Sequence, residues 1–478
     1  MKFKSIYNKI PVQMKAAVAY TIASLLSQGL NFLTIPIFTR MMSTEQMGIV
    51  GTYSSWSSIL GTVINLSIVS GALNTAFMEF KNDRDRYLGS MVGLYSVSVL
   101  LFGVIYYIFR SSFNVILTLS TQLMIVMFAG FFFNPAKELW ISRKRFEYKY
   151  VSFLIVSVLS SLLTVGASVV AVIIAKYRGM ENLATVRLTV AGIVSCLCSL
   201  PFYVYLLIKG KGAYNKNYWK YALILNTPMI IHGLAKHILD ASDRLMISSM
   251  VGKSAVGVYS VLHSISSISI IIWTAINASL VPYIFYSIEK KETKKVNRLS
   301  TVLLIVYGVA CVFLSLISPE IVRIFGTEEY YDAIYIMPSI SSGIFLTSAY
   351  SLFSTISLYY KKTEYIMYGT AAAAIVNVIL NYIFIQIFGY YAAAYTTLVA
   401  YIVLTLLQFV FMKKCSNINI YDGKMVAFYC TVVVLGCLAC IPLYRTTIIR
   451  YVIIVTILIV GYANRKYIIS LYKQMKER

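Results

Sequence analysis

His232, Lys236, Asp240, Asp243 and Arg244 fall within an arc of roughly 120° when a helix is turned at 100° per residue, and His237 lies just beside it. Such a face can do two kinds of chemistry. Its cations can hold an anion such as a diphosphate, and its carboxylates and imidazoles can exchange a proton or a sodium ion. Lys236 with Asp240, and Asp240 with Arg244, have the i,i+4 spacing of ion pairs. The surrounding stretch, 221–250, is otherwise apolar, and each charge placed in hydrocarbon costs roughly 2.5 to 3.5 kcal/mol on insertion scales. The face is therefore expected to look into a wet protein interior. The alternative, open at this point, is that a stretch this long overshoots the bilayer and its outer charges cap it in water.

Three further polar faces accompany it. Ser24, Ser27, Gln28, Asn31 and Thr34 share one side of the stretch 16–39, and Ser260, His263, Ser264, Ser267 and Thr274 repeat the pattern in 255–286. Cavity lining and interhelical hydrogen bonding both use these residue types. Asn377 and Asn381, at i,i+4, read as interhelical glue. Pro228, after Asn226 and Thr227, and Pro135, after Asn134 and before Lys137 and Glu138, remove helix hydrogen bonds and are candidate hinges. No catalytic motif is recognisable, and the seven cysteines suggest neither a disulfide framework nor a metal site, so no cofactor is expected beyond a coupling proton or sodium ion.

The elements that must position these residues are membrane spans. Hydrophobic residues make up 59% of the chain and charged residues 13%, against near half and a quarter in soluble domains. Apolar stretches fill the length: 16–39, 48–77, 87–109, 119–141, 151–175, 188–208, 221–250, 255–286, 299–318, 334–359, 366–388, 390–412, 425–444 and 448–464, which makes fourteen. The first is too long for a secretory leader and lacks a cleavage site. Of the 42 Lys and Arg residues, 30 fall on the side of the termini and 9 on the other, counting Arg450 at the start of the last stretch, which predicts cytoplasmic termini. The same one-sided distribution explains the net charge of +24 without nucleic acid, through insertion topology and anionic membrane lipid.

Met47-Gly48-Ile49-Val50 and Val256-Gly257-Val258-Tyr259-Ser260 both open a span after a short polar turn, 209 residues apart. Six spans separate them, so the halves enter the membrane in the same sense, a transporter pattern. The expected organisation is a six-helix bundle over 1–208, a cytoplasmic linker over 209–220, a second bundle over 221–412, and a helix pair with a basic tail over 413–478. The loops are too short for the catalytic apparatus of a membrane glycosyltransferase or polymerase.

The run Ile321-Val322-Arg323-Ile324-Phe325-Gly326-Thr327-Glu328-Glu329-Tyr330-Tyr331-Asp332-Ala333 resembles the outer loop between helices 9 and 10 of bacterial polysaccharide exporters of the Wzx type. Asn377, Asn381 and Gly389-Tyr390-Tyr391-Ala392-Ala393-Ala394-Tyr395-Thr396-Thr397 are similar to their N-x-x-x-N and G-x-x-G-A-A-x-A-T run, with Ala392 where the second glycine is usual. Pro36, Thr39, Arg40, Glu45 and Gly48 are similar to that family's first hairpin, and Asp243-Arg244 to its seventh helix. The resemblance implies an all-α membrane fold shared with MATE extruders and lipid II flippases, two six-helix bundles around a central cavity plus two C-terminal helices. It further implies a bacterial inner-membrane flippase that moves undecaprenyl-diphosphate-linked oligosaccharide units of O-antigen, capsule or exopolysaccharide outward by alternating access. The partners it implies are the lipid-linked oligosaccharide, a polysaccharide polymerase and a chain-length regulator.

On that reading Lys236, Arg244 and Arg40 attract the diphosphate, and Ser24, Gln28, Asn31, Ser260 and His263 hydrate the sugars. Asp240, Asp243, His232 and His237 are the ion-coupling candidates. The rival on the same fold is a cation-coupled multidrug or small-molecule extruder.

Overall fold

The computed structural model describes residues 12–69, 73–416 and 420–465. The basic start at Lys2, Lys4 and Lys9 and the tail beyond Arg465 lie outside them. Among the described residues twelve helical stretches are long and apolar enough to cross a membrane, and the chain is an all-helical, multi-pass integral membrane protein. Helix is what the solvent dictates, because hydrocarbon offers backbone groups no partner and each must be satisfied within its own segment. Two of the fourteen expected stretches fall outside that set. One begins with a 21-residue helix carrying Ser54, Ser55, Ser57 and Ser58, and the other is 17 residues long.

Packing divides the chain into two compact units, Met1–Gly257 and Val258–Arg478. The first holds α1 (Val12–Met41), α2 (Thr44–Ile64), α3 (Leu73–Glu79), α4 (Arg84–Ile108), α5 (Arg110–Leu117), α6 (Thr121–Phe146), α7 (Tyr150–Tyr177), α8 (Leu183–Gly210) and α9 (Lys216–Met250). Side-chain oxygens cap three of these: Ser43 accepts from Gln46 N at the start of α2, Ser120 from Leu123 N at α6, and Asn215 from Asn217 N and Tyr218 N at α9. Helix α4 is the core element, buried from Tyr87 to Leu94. Glycine lets α8 and the segment after it approach closely, since a Cβ on Gly93 would stand 1.8 Å from the Ala213 carbonyl oxygen. Phe80, Tyr87, Tyr218 and Tyr221 stack edge and face, which joins the starts of α4 and α9. At the same end Arg143 pairs with Asp85 and, at 2.8 Å, with Glu147, which also takes Lys149 at 2.8 Å.

The second unit begins within α10 (Lys253–Ser266). It continues through α11 (Ile268–Glu289), α12 (Thr293–Leu316), α13 (Ser318–Phe325), a 3-10 turn (Glu328–Ile336), α14 (Met337–Tyr359), α15 (Thr363–Phe388) and α16 (Tyr390–Cys415). The last elements are α17 (Gly423–Leu438), α18 (Cys440–Leu443) and α19 (Thr447–Ala463). Helix α14 lies at the centre, buried without a break from Met337 to Leu346. Ser342 and Ser348 bond carbonyls of their own helix, Ser339 reaches across to the Ala394 carbonyl at 2.8 Å, and Ser341 Oγ is buried without a partner among the described residues.

Three expected spans are not single helices. The stretch 48–77 is interrupted after Ile64, where Leu66 and Ser67 adopt left-handed φ of 54° and 46° before α3 resumes. Asn65 and Ser67 explain the stop, since such side chains compete for backbone groups that the helix would otherwise use. The stretch 255–286 is divided at Ser267 into α10 and α11, and 425–444 into α17 and α18. The connection 319–333 is folded, into α13 and the 3-10 turn.

Candidate functional site

Helix α9 runs for 35 residues, which at 1.5 Å per residue is about 52 Å and well beyond the ~30 Å of hydrocarbon. Its length therefore leaves room for charges beyond the hydrocarbon at one end. Burial separates them: Asp243 is 2% exposed, beside buried Ser242 and Ala241. His232, His237, Asp240 and Arg244 are half-buried, and Lys236 is exposed. Nδ1 of His232 is buried without a hydrogen-bond partner among the described residues. The helix packs chiefly on α2, with Gly233 in van der Waals range of Thr62 and Ser67. Hydrogen bonding remains helical through Pro228, and Thr227 turns its hydroxyl back to the Leu223 carbonyl at 2.7 Å. Pro135 likewise sits inside an unbroken α6.

The polar side of α1 is used in two ways. Ser27 accepts from Ser161 of α7 at 3.0 Å, an interhelical contact, and α1 packs mainly on α7. Gln28 and Asn31 are exposed and bond within their own helix, to the Ser24 hydroxyl at 2.8 Å and the Ser27 carbonyl at 3.1 Å. Arg40, also exposed, bonds the Pro36 carbonyl at 3.2 Å, and its own carbonyl accepts from Lys176. In the second unit, Ser260 Oγ is buried without a partner among the described residues, and His263 is half-buried with Ser267 Oγ 3.3 Å from its Nδ1. Asn377 and Asn381 are fully buried there, in a chain that runs from Asn381 to Asn377 at 3.1 Å and on to Thr397 of α16 at 2.9 Å. Thr396 donates to Asn381, so this pair stitches α15 to α16.

The first unit also forms a half-open cavity of about 520 Å³ among α2, α6 and α8, lined by Ser57, Ser58, Thr62, Asn65, Asn134 and Glu138 beside Tyr53 and Phe131. Sequence reasoning singled out Asn134 and Glu138 but passed over the α2 residues. The available signal was the density of serine, threonine and asparagine from Ser54 to Ser67 in a span otherwise apolar. Asn134 Oδ1 accepts from Ser195 at 2.9 Å and Ser199 at 3.0 Å, which ties α6 to α8 behind the cavity.

A family model described as polysaccharide biosynthesis protein matches residues 14–288, and a MatE model matches residues 228–383. The chain is 20% identical to the "Probable low-salt glycan biosynthesis flippase Agl15" of Haloferax volcanii over 427 residues, 87% of each chain. Among solved structures, a lipid II flippase MurJ in an inward closed conformation superposes with a TM-score of 0.72 at 16% identity, covering 94% of this chain and 100% of that one. An inward-facing multidrug resistance MATE family transporter of the MOP superfamily gives 0.62 at 14% identity, over 87% and 98%. The fold is thus that of MurJ and the MATE transporters.

Proposed function

Because this chain belongs to the polysaccharide biosynthesis protein family, transporters of the multidrug/oligosaccharidyl-lipid/polysaccharide exporter superfamily, we propose that it is a flippase for lipid-linked glycan. The cargo on this reading is an undecaprenyl-diphosphate-linked oligosaccharide, carried from the cytoplasmic to the outer leaflet of a bacterial inner membrane by alternating access. The observation that carries it is the match over 87% of both chains to a protein named as a glycan biosynthesis flippase. In this proposal α2 and α19 cross the membrane with the twelve stretches above, making fourteen, with both termini cytoplasmic. The fourteen are arranged as two six-helix bundles followed by a C-terminal pair.

The physical task is set by the head group. Burying each sugar hydroxyl unpaired costs roughly 2 to 7 kcal/mol, so unaided crossing is prohibitively slow, whereas a polyprenyl tail can stay in lipid. Exposed polar side chains on otherwise apolar helices answer it: Gln28, Asn31 and Arg40 on α1, and Lys236 on α9. Lys236, Arg244 and Arg40 would hold the diphosphate, and Ser24, Gln28, Asn31, Ser260 and His263 would replace water around the sugars. Asp240, Asp243, His232 and His237 would carry coupling ions, and Pro228 and Pro135 would let α9 and α6 flex.

Proteoliposomes holding purified chain and a fluorescent undecaprenyl-diphosphate oligosaccharide test this directly. The labelled glycan is expected to become accessible to an external lectin. Lys236→Ala with Arg244→Ala, each removing a charged hydrogen-bond donor, is expected to slow this by about tenfold or more. Unchanged translocation by that variant would dismiss the charge assignment. The MatE match over 228–383 favours a second reading, a cation-coupled extruder, which predicts drug efflux by the same vesicles and no glycan movement.

A further inference from the structure

The half-open cavity of the first unit is built from two ladders at four-residue spacing. Tyr53, Ser57, Gly61 and Asn65 succeed one another along α2 and its cap, and Val126, Gly130, Asn134 and Glu138 along α6, and all of them line the cavity. With the single span α4 between them, α2 and α6 run in the same sense. A Cβ on Gly61 would lie 3.0 Å from the Phe131 ring, a contact that fixes the register and brings Asn65, one turn beyond Gly61, level with Asn134 and Glu138. The volume, about 520 Å³, falls within the roughly 300 to 1,000 Å³ of small-molecule sites.

Its hydrogen-bonding groups are of both kinds. Asn134 Oδ1 already accepts from Ser195 and Ser199, so this amide has its N–H donors left to offer, and Nδ2 lies 3.3 Å from where a Cβ on Gly130 would stand. Asn65 Oδ1 is an acceptor, buried without a partner among the described residues. Glu138 is exposed, which places its carboxylate at the mouth, and it is the only charged side chain among the described lining residues. Tyr53 and Phe131 contribute aromatic faces. A metal ion is repelled by the Asn134 donors and an anion by Glu138. A cationic drug would take the rings and Glu138 but leave the Asn65 and Asn134 groups unpaired, at a desolvation cost. A sugar ring satisfies every one of them, since each hydroxyl both donates and accepts and the C–H faces pack on aromatic rings.

Resting on the flippase reading, we propose that this cavity is a subsite for one sugar residue of the cargo and that it selects a neutral sugar, a hexose or N-acetylhexosamine, over an acidic one such as a uronic or sialic acid. Asn65 accepts from one ring hydroxyl and Asn134 donates to another. Glu138 accepts charge-assisted hydrogen bonds from the hydroxyls of a neutral sugar, whereas a sugar carboxylate brought beside it meets a like charge. Selection therefore comes from repulsion at the mouth as much as from attraction within.

The experiment titrates purified full-length chain in detergent with two soluble short-chain analogues, citronellyl diphosphate glucose and citronellyl diphosphate glucuronate, read as thermal stabilisation, and follows the matching undecaprenyl cargoes in proteoliposomes. The two sugars differ only at C6, a hydroxymethyl group against a carboxylate. At low ionic strength the glucose analogue is expected to bind about fivefold or more tightly than the glucuronate, the size of one like-charge contact near water, and the preference is expected to shrink as salt is added. Glu138→Gln, of the same shape, is expected to bring the two affinities within about twofold of each other. Asn65→Ala is expected to weaken the glucose analogue by about tenfold. Absence of binding, equal affinity for the two analogues, or an unchanged preference in Glu138→Gln would overturn the proposal. Should Asn65→Ala fail to fold, Glu138→Gln decides alone. The two readings fail separately: preferential binding with no movement of either undecaprenyl cargo sinks the flippase and keeps the sugar site, whereas equal rates for both cargoes sink the subsite and keep the flippase.

Discussion

Oxidation of a chain carrying Thr44→Cys and Ser254→Cys is expected to join the start of α2 to the start of α10 and to halt translocation until the bond is reduced. The two native hydroxyl oxygens lie 2.7 Å apart, so sulfurs placed there need little movement to reach bonding distance. Glycine makes this approach possible. A Cβ on Gly48 would stand 1.8 Å from the Lys253 carbonyl oxygen, and one on Gly257 1.8 Å from that of Thr44. Each glycine thus meets the turn before the other, and the two are the residues that align in the sequence repeat. Alternating access requires elements in such close contact to separate during the cycle, and the crosslink forbids it. Gly48→Val is expected to act from the opposite direction, since backbone must shift to admit the side chain, and to reduce translocation to background while the chain still inserts. Chains carrying only one of the two substitutions serve as controls for the seven native cysteines, and translocation that continues through a completed crosslink would show that this contact does not move.

Replacing Arg450 with Ala is expected to lower the melting temperature in detergent more than any other single change in the C-terminal helix pair. Arg450 is 4% exposed, pairs with Glu320 of α13 and reaches the Leu316 carbonyl at 3.4 Å, while Tyr451 donates to the same carboxylate at 2.8 Å. Removing one partner of a buried ion pair costs roughly 3 to 5 kcal/mol, because the other charge is left uncompensated, and the partial exposure of Glu320 puts the expectation at the lower end. Removing both charges together, with Arg450→Met and Glu320→Leu, is expected to restore most of the loss, since an apolar pair of similar volume serves as well in a buried position. A parental melting temperature for Arg450→Ala would mean that water already screens the pair.

The spans were largely legible because transfer into hydrocarbon is close to additive over ~20 residues and needs no knowledge of neighbours. The family was legible from the order of weak motifs between Pro36 and Thr397, each too degenerate alone. Arg450 shows where such reading stops. In the sequence it appears with Arg445 as crowding in a short turn, and only the fold brings Glu320, 130 residues earlier, against it. Asn377 and Asn381 read as interhelical glue and bond accordingly, while Asn65, of the same type, keeps a buried acceptor beside a cavity.

Hydrophobic patterning was enough to make this chain a multi-pass helical membrane protein, and its motifs were enough to suggest a polysaccharide exporter. Tertiary structure decided where the second span stops, that Gly48 and Gly257 meet backbone to backbone, and which polar side chains border the cavity of the first unit. The division has a physical cause. Solvent preference is a property of each residue and its near neighbours in sequence, whereas the partner of a polar group in a membrane protein comes from whichever distant helix packs beside it.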